Sequence, residues 1–237
     1  IRRRHLVALS AVALATGTAF AQSDTVKIGV ILPLTGQQAS TGRQIDAAIK
    51  LWVAQNGNKA GGKTVEVIVK DDGSVPDATR RLAQELVVND KVVALAGFGI
   101  TPSAMATAPI ATQSKTPMVV MAAATSAITE ASPYIVRTSF TLPQAAVALA
   151  EWSNKNNIKK VVTAVTDYGP GIDAETAWKS EFTKQGGTVV ESIRMPIATT
   201  DFSPFVQRIK ASGAQAVYTF LPGGPPNLGF VKAYNEN

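Results

Sequence analysis

The sequence predicts an α/β fold in which parallel strands are covered by helices on both faces. Three observations carry that reading. Strand-like and helix-like segments alternate from Val26 onward. Residues 26–32 and several later strand segments are near-continuous apolar runs, the pattern of strands buried on both faces. Segments between them place apolar residues on one helical side, as Ile45, Ala48, Ile49 and Trp52 do.

Taken in order, residues 26–32 form a strand and 39–56 a helix. Residues 64–69 alternate β-branched side chains and read as the next strand. A helix follows at 78–89, capped by Asp77, with Leu82, Leu86 and Val87 facing inward. Residues 92–96 form a buried strand, a helix starts near Pro102, where proline suits a first turn, and 117–121 is a further apolar strand. Residues 134–141 break the rhythm with an extended stretch suited to a crossing between two lobes. Helices at 143–154, 172–185 and 202–211 then alternate with strands at 161–165, 188–193 and 216–221. Residues 229–237 read as the opening of another helix, which leaves the second series one or more strands short. With no initiator Met, the expectation is a fragment cut at both ends.

Residues 1–21 read as a secretory signal peptide. Arg2, Arg3, Arg4 and His5 form a positive start, an apolar run of 15 residues follows, and Ala19-Phe20-Ala21 is a cleavage signal. The run is short for a membrane span, which needs about 20 residues. A buried N-terminal helix is the alternative, and the three arginines and the Ala-x-Ala ending fit it poorly. No cysteine is available for a lipid anchor, so the expected product is soluble, periplasmic and not a lipoprotein.

Cleavage leaves 216 residues, enough for one or two domains with a real core. It removes three of the 23 Lys and Arg while all 17 acids stay, a net of +3. No dense basic patch suggests a nucleic-acid partner. Without cysteines, stability rests on packing rather than disulfides. His5, the only histidine, leaves with the signal, so no imidazole base, no His or Cys metal ligand and no thiol nucleophile stays. A Ser-His-Asp hydrolase is thereby excluded. Carboxylate or Lys catalysis has one faint candidate, Asp167 with Lys179 or Glu175.

In open α/β sheets, ligands sit at the C-terminal ends of strands, beside helix N-termini with free N–H groups. Three such ends, 34–42, 97–103 and 122–126, are rich in small and hydroxyl residues. None carries a GxGxxG after a strand, a P-loop or a GxSxG.

These segments, in this order, resemble the periplasmic solute-binding proteins of ABC transporters, in the Leu/Ile/Val-binding type. The matching stretches are VKIGVILPLTGQQASTGRQIDAAIKLWV, KDDGSVPDATRRLAQELVVNDKVVALAGFGITPSA, APIATQSKTPMVVMAAATSAIT, YIVRTSF, VVTAVTDYGPGIDAETAWKSEF and TTDFSPFVQRIKASGAQAVYTFLPGG. The resemblance covers essentially the whole chain after the signal. It implies a type I periplasmic binding fold of two doubly wound parallel-sheet lobes with a solute clamped between them. The N-terminal ligand-binding lobe would span 22–141 and an incomplete C-terminal lobe 142–237. It further implies binding rather than catalysis, no cofactor, and a membrane permease as partner; a monomer is expected.

In this family the first lobe holds the ligand's carboxylate. The resemblance assigns that role to Thr101, after the third strand, and to Ala123, Ala124 and Thr125, after the fourth. A hydrogen bond to a charged group contributes about 1.5–3 kcal/mol, and a helix end up to about 1 kcal/mol more. Without the family, helix capping is the better reading of both threonines. Tyr168 matches a second-lobe tyrosine that closes over the ligand with a ring and one hydroxyl. Ser40 and Thr41 fall where the family places a first-loop contact, and their smallness leaves room for a larger ligand or water. Phe98 is expected either to wall the pocket or to join the core.

Other features read as structural. Asp71-Asp72-Gly73 is a turn, Arg137 pairs at the crossing, and Trp52, Trp152 and Trp178 are core or half-buried. Pro222-Gly223-Gly224-Pro225-Pro226 departs from the family, which often has Tyr or Ser there. An amino-acid solute needs an acid for its ammonium group, which amino-acid-binding members supply from a part of the second lobe beyond residue 237; Asp167 reads as structural. The favoured solute is a branched-chain or related amino acid. An aromatic or other non-amino carboxylate, or a ligand-sensing role for a signalling receptor, is the alternative.

Overall fold

The computed structural model describes residues 25–237, so the signal-peptide reading of 1–21 lies outside the described residues. The first part runs β1 (Thr25–Leu32), α1 (Ala39–Asn56), β2 (Lys59–Ala60), β3 (Lys63–Asp71), α2 (Pro76–Val88), β4 (Ala94–Gly97), α3 (Thr101–Ser114), β5 (Met118–Val120), a 3-10 turn (Ser126–Glu130) and β6 (Ile135–Arg137). The second runs α4 (Leu142–Lys155), β7 (Lys160–Thr166), α5 (Gly169–Lys184), β8 (Thr188–Met195), α6 (Ser203–Ala211), β9 (Ala216–Phe220) and α7 (Pro225–Glu236). Two sheets result, ordered β2-β3-β1-β4-β5-β6 and β8-β7-β9. Every pairing is parallel except β2 with β3. That short hairpin turns on Gly61 and Gly62, both at positive φ, as a two-residue turn of the primed type requires.

Each sheet is packed on both faces. In the first, Leu86 of α2 and Ala104, Ala108 and Ala111 of α3 bury Ile31, Leu95, Met118 and Val120. On the opposite face Ile45 and Ile49 of α1 pack against Val30, Leu32 and Ala96. In the second sheet, Trp178 and Phe182 of α5 and Ala146 and Ala150 of α4 cover Val161, Val165 and Tyr218. Phe202, Val206 and Phe230 cover Val162, Ala164 and Ile193 from the other side. Trp178 lies stacked between Phe182 and Tyr218, at ring-centroid distances of 4.3 and 4.6 Å. A second-lobe polar cluster ties α5 to its sheet: the buried Glu175 accepts from Thr163 and pairs with Arg194, which also reaches Asp167 at 3.9 Å.

Three sequence expectations change in detail. Helix α2 begins at Pro76, so Asp77 lies inside its first turn and Val75 is the cap. Proline at a helix start has no N–H to satisfy, and an acid in the first turn faces the positive helix end. Residues 135–137, read as part of an extended crossing, are β6, an edge strand paired in parallel with β5. The crossing narrows to 138–141, anchored by Thr138 N–H on the Val120 carbonyl (3.0 Å) and Leu142 N–H on the Ala124 carbonyl (2.9 Å). Of the three tryptophans only Trp178 is core; Trp52 and Trp152 are 51% and 54% exposed. No described helix is long and apolar enough to cross a membrane.

Candidate functional site

The C-terminal strand ends of the two sheets face each other across a cavity of about 210 Å³. The first lobe contributes Gln38 and Thr41 from the β1–α1 region, Gly99, Ile100 and Thr101 from the start of α3, and Ala122, Ala123 and Ala124 after β5. Phe140 and Leu142 come from the crossing, and Tyr168, Pro170, Phe220, Leu221, Pro222 and Gly223 from the second lobe. No lining residue carries a formal charge.

A cluster of hydrogen bonds fixes the first-lobe wall. Thr101 Oγ1 and Thr125 Oγ1 are 2.7 Å apart, joining the start of α3 to the loop after β5. Arg137 reaches back from β6 and donates to the carbonyls of Ala123 (3.3 Å), Thr125 (2.7 Å) and Ser126 (3.2 Å). Burial lowers the pKa of this guanidinium, and the charge of Asp173 pulls it the other way. With those carbonyls taken, the N–H groups of Thr101 and Ala124 have no acceptor among the described residues. They are donors for an anion or carbonyl placed at helix and loop starts.

The turn after β3 holds the first loop. Asp71 accepts from the N–H groups of Leu34 (2.9 Å), Thr35 (3.2 Å) and Gly73 (2.9 Å) and from the Thr35 hydroxyl (2.7 Å). Desolvation pushes its carboxyl up, and these bonds together outweigh it, so it titrates below its ordinary value. Asp72, buried, accepts from Ser74 N–H (2.9 Å), Thr79 Oγ1 (2.8 Å) and Ser103 Oγ (3.3 Å), which ties α2 and α3 together. Ser74 in turn accepts the Gln38 N–H at 3.2 Å.

From the second lobe, Tyr168 sits at the mouth of α5, its ring centroid 6.4 Å from that of Phe220. Gly169 follows it, so close to the first lobe that a Cβ there would stand 3.5 Å from Thr101 Cγ2 and 3.8 Å from Thr125 Oγ1. The lobes are therefore closed upon one another at the threonine pair. Burial pushes the Tyr168 hydroxyl up to about 12, and burial with the charge of Glu175 pushes Tyr218 to about 12. An unfolded tyrosine releases its proton near pH ~10. Stability from these two groups is therefore full below about pH 10 and lost as pH climbs toward 12. Tyr168→Phe should flatten part of that alkaline decline, measured as melting temperature against pH.

Of the residues singled out in the sequence, Thr41, Thr101, Ala123, Ala124 and Tyr168 line the cavity, and Thr125 backs Thr101. Ser40 does not; it is exposed on the first turn of α1, bonded to Gln44 Nε2 at 3.2 Å. Phe98 takes the core role: it is fully buried among the residues under α2 and α3. Its backbone turns at φ +65°, with its N–H on the Ile31 carbonyl and its own carbonyl accepting from Ala123. Gln38, Phe140, Leu142, Phe220 and Leu221 were not singled out. Their only sequence signal is position next to a strand end or in the crossing. Pro222 and Gly223, read as a departure from the family, do reach the cavity. Among the described residues no cluster of three His, Cys, Asp or Glu could hold a metal.

Comparison with known proteins agrees with this architecture. Residues 25–237 match a family described as periplasmic binding protein. A Leu/Ile/Val-binding protein homolog 6 of Brucella melitensis is 53% identical over all of this chain and 60% of its own length. A solute-binding protein of an ABC transporter from R. palustris, solved with 4-hydroxybenzoate, superposes with a TM-score of 0.87 at 56% identity, over 90% of this chain and 58% of that one. Another, from Rhodopseudomonas palustris BisB5 and solved with 3,4-dihydroxybenzoic acid, gives 0.87 at 55% identity, over 90% and 59%. The chain thus spans about 60% of the length of the relatives it matches. The family and these neighbours are binding proteins, not enzymes. An α/β fold of two parallel-sheet lobes with facing strand ends, joined to a match over residues 25–237, places this chain in the periplasmic binding protein family.

Proposed function

We propose that the protein is the solute-binding component of an ABC importer and that its solute is a small aromatic carboxylate. The observation that carries this reading is the lining of the cavity. Unpaired N–H groups and threonine hydroxyls line it together with Phe140, Tyr168 and Phe220. Threonine hydroxyls and N–H donors suit a carboxylate, and aromatic walls suit a ring. Gln38 supplies a polar amide for a ring substituent. Two neighbours at 55–56% identity were solved with hydroxylated benzoates, which supports the same class. Periplasmic location and delivery to a membrane permease belong to the same proposal, supported by the family and by the signal-peptide reading of residues 1–21.

A second reading, a branched-chain amino acid, is favoured by the description of the Brucella relative. A thermal-shift titration separates the two. A ligand at 100 times its dissociation constant stabilises by about 2.7 kcal/mol. The expected outcome is a clear shift with 4-hydroxybenzoate or benzoate and none with Leu, Ile or Val. A shift with the amino acids alone would overturn the aromatic assignment.

A further inference from the structure

We infer that Asp173 is a closure latch, a positioning residue that sets how long the two lobes stay shut without touching the solute. The inference rests on the proposal above that a solute is clamped between the lobes. Asp173 lies in α5 of the second lobe, and both its carboxylate oxygens are taken by the first lobe. Ser126 donates its N–H to Oδ2 at 2.9 Å and its hydroxyl to Oδ1 at 2.8 Å. Among the described residues these are the two hydrogen bonds that join the lobes away from the crossing.

Asp173 has no duty to its own helix. It lies beyond the first turn of α5, which holds no acidic residue. On the other side, Ser126 is the residue whose carbonyl Arg137 grips, and the same guanidinium holds the carbonyls of Ala123 and Thr125. The first lobe thus presents a hydroxyl, an N–H and a nearby cation to one carboxylate of the second. Hydrogen bonds to an ionised acceptor are about twice as strong as neutral ones, and they exist only while the lobes are closed. Ser126, Arg137 and Asp173 are all absent from the cavity lining. The latch therefore multiplies the residence time of every solute by the same factor, while the lining decides which solute enters.

The test compares Asp173→Ala, Asp173→Asn and Ser126→Ala with the unaltered protein, using 4-hydroxybenzoate as the probe in stopped-flow dissociation. Asp173→Ala should raise the off-rate about tenfold, equivalent to about 1.4 kcal/mol, and change the on-rate by less than about twofold. Asp173→Asn keeps an acceptor and should fall between, as should Ser126→Ala. A second readout needs no solute. The chain has no cysteine, so spin labels on cysteines placed at exposed Lys50 and Lys184 report the distance between lobes. Asp173→Ala should shift that distribution toward longer distances. The latch is upheld if either the off-rate or the distribution moves as stated. It is overturned if neither moves, including the case where only the melting temperature falls. Should the unaltered protein ignore 4-hydroxybenzoate, the aromatic reading fails, and the distance measurement alone decides the latch.

Discussion

Thr101→Val should weaken carboxylate binding by roughly ten- to a hundredfold and leave the fold intact. Valine keeps the β-branched shape that this buried position at the start of α3 accommodates, so packing changes little. What goes is the hydroxyl, which lies 2.7 Å from the Thr125 hydroxyl and beside the cavity. A hydrogen bond to a charged group contributes about 1.5–3 kcal/mol, and about 1.4 kcal/mol is tenfold in affinity. Thr125→Val should act in the same direction through the shared bond. Because the two hydroxyls touch, the double variant should lose less than the two single losses added together. Calorimetric titration with 4-hydroxybenzoate, beside a melting curve, checks all three. Unchanged affinity in both single variants would remove the threonine pair from the binding site.

Gly171→Ala should destabilise the second lobe by about 3 kcal/mol and lower affinity with it. Gly171 has an ordinary helical backbone, so strain is not the cause. A Cβ there would overlap the Thr166 carbonyl oxygen, where the first turn of α5 crosses the end of β7. Neither partner is the tip of a flexible side chain, so helix and strand must part. That turn carries Tyr168 and Pro170 against the cavity and Gly169 against Thr101 and Thr125, so the loss of fit reaches the site. A contrast is built into the same lobe. Gly186, at φ +86° with open space around it, should cost only the conformational penalty of about 1–2 kcal/mol when changed to alanine. Denaturant melts of the two variants should separate the two mechanisms.

Most elements were legible because their signals are local. Apolar runs marked β1, β4, β5 and β7, and one-sided periodicity marked α1 at its observed bounds of Ala39–Asn56. The lapses came where tertiary contact overrides local pattern. β6 is three residues long and is a strand only because β5 lies beside it. Trp52 and Trp152 have helical spacing, but each stands at the margin of its sheet, about half exposed beside Ile49 and Val53 in one case and Leu149 and Val161 in the other. Phe98, open in the sequence between pocket wall and core, was decided by a turn at positive φ that leaves the ring in the core. The candidate site divides the same way. Thr101, Ala123, Ala124 and Tyr168 stand at strand ends, where the fold class alone directs attention. Phe140 and Phe220 line one cavity from 80 residues apart, and Asp173 finds Ser126 across 47, distances over which no sequence pattern speaks.

The uncharged lining of the cavity has a consequence for the surroundings in which it operates. Attraction between exposed ions fades over a screening length of about 8 Å at physiological ionic strength, so a grip built on an ion pair at the surface varies with the salt outside. Here N–H groups, hydroxyls and rings face the space between the lobes and no lining side chain carries a formal charge, so these residues offer no ion pair for salt to weaken. Such a lining selects its guest by outline and donor pattern rather than by opposite charge.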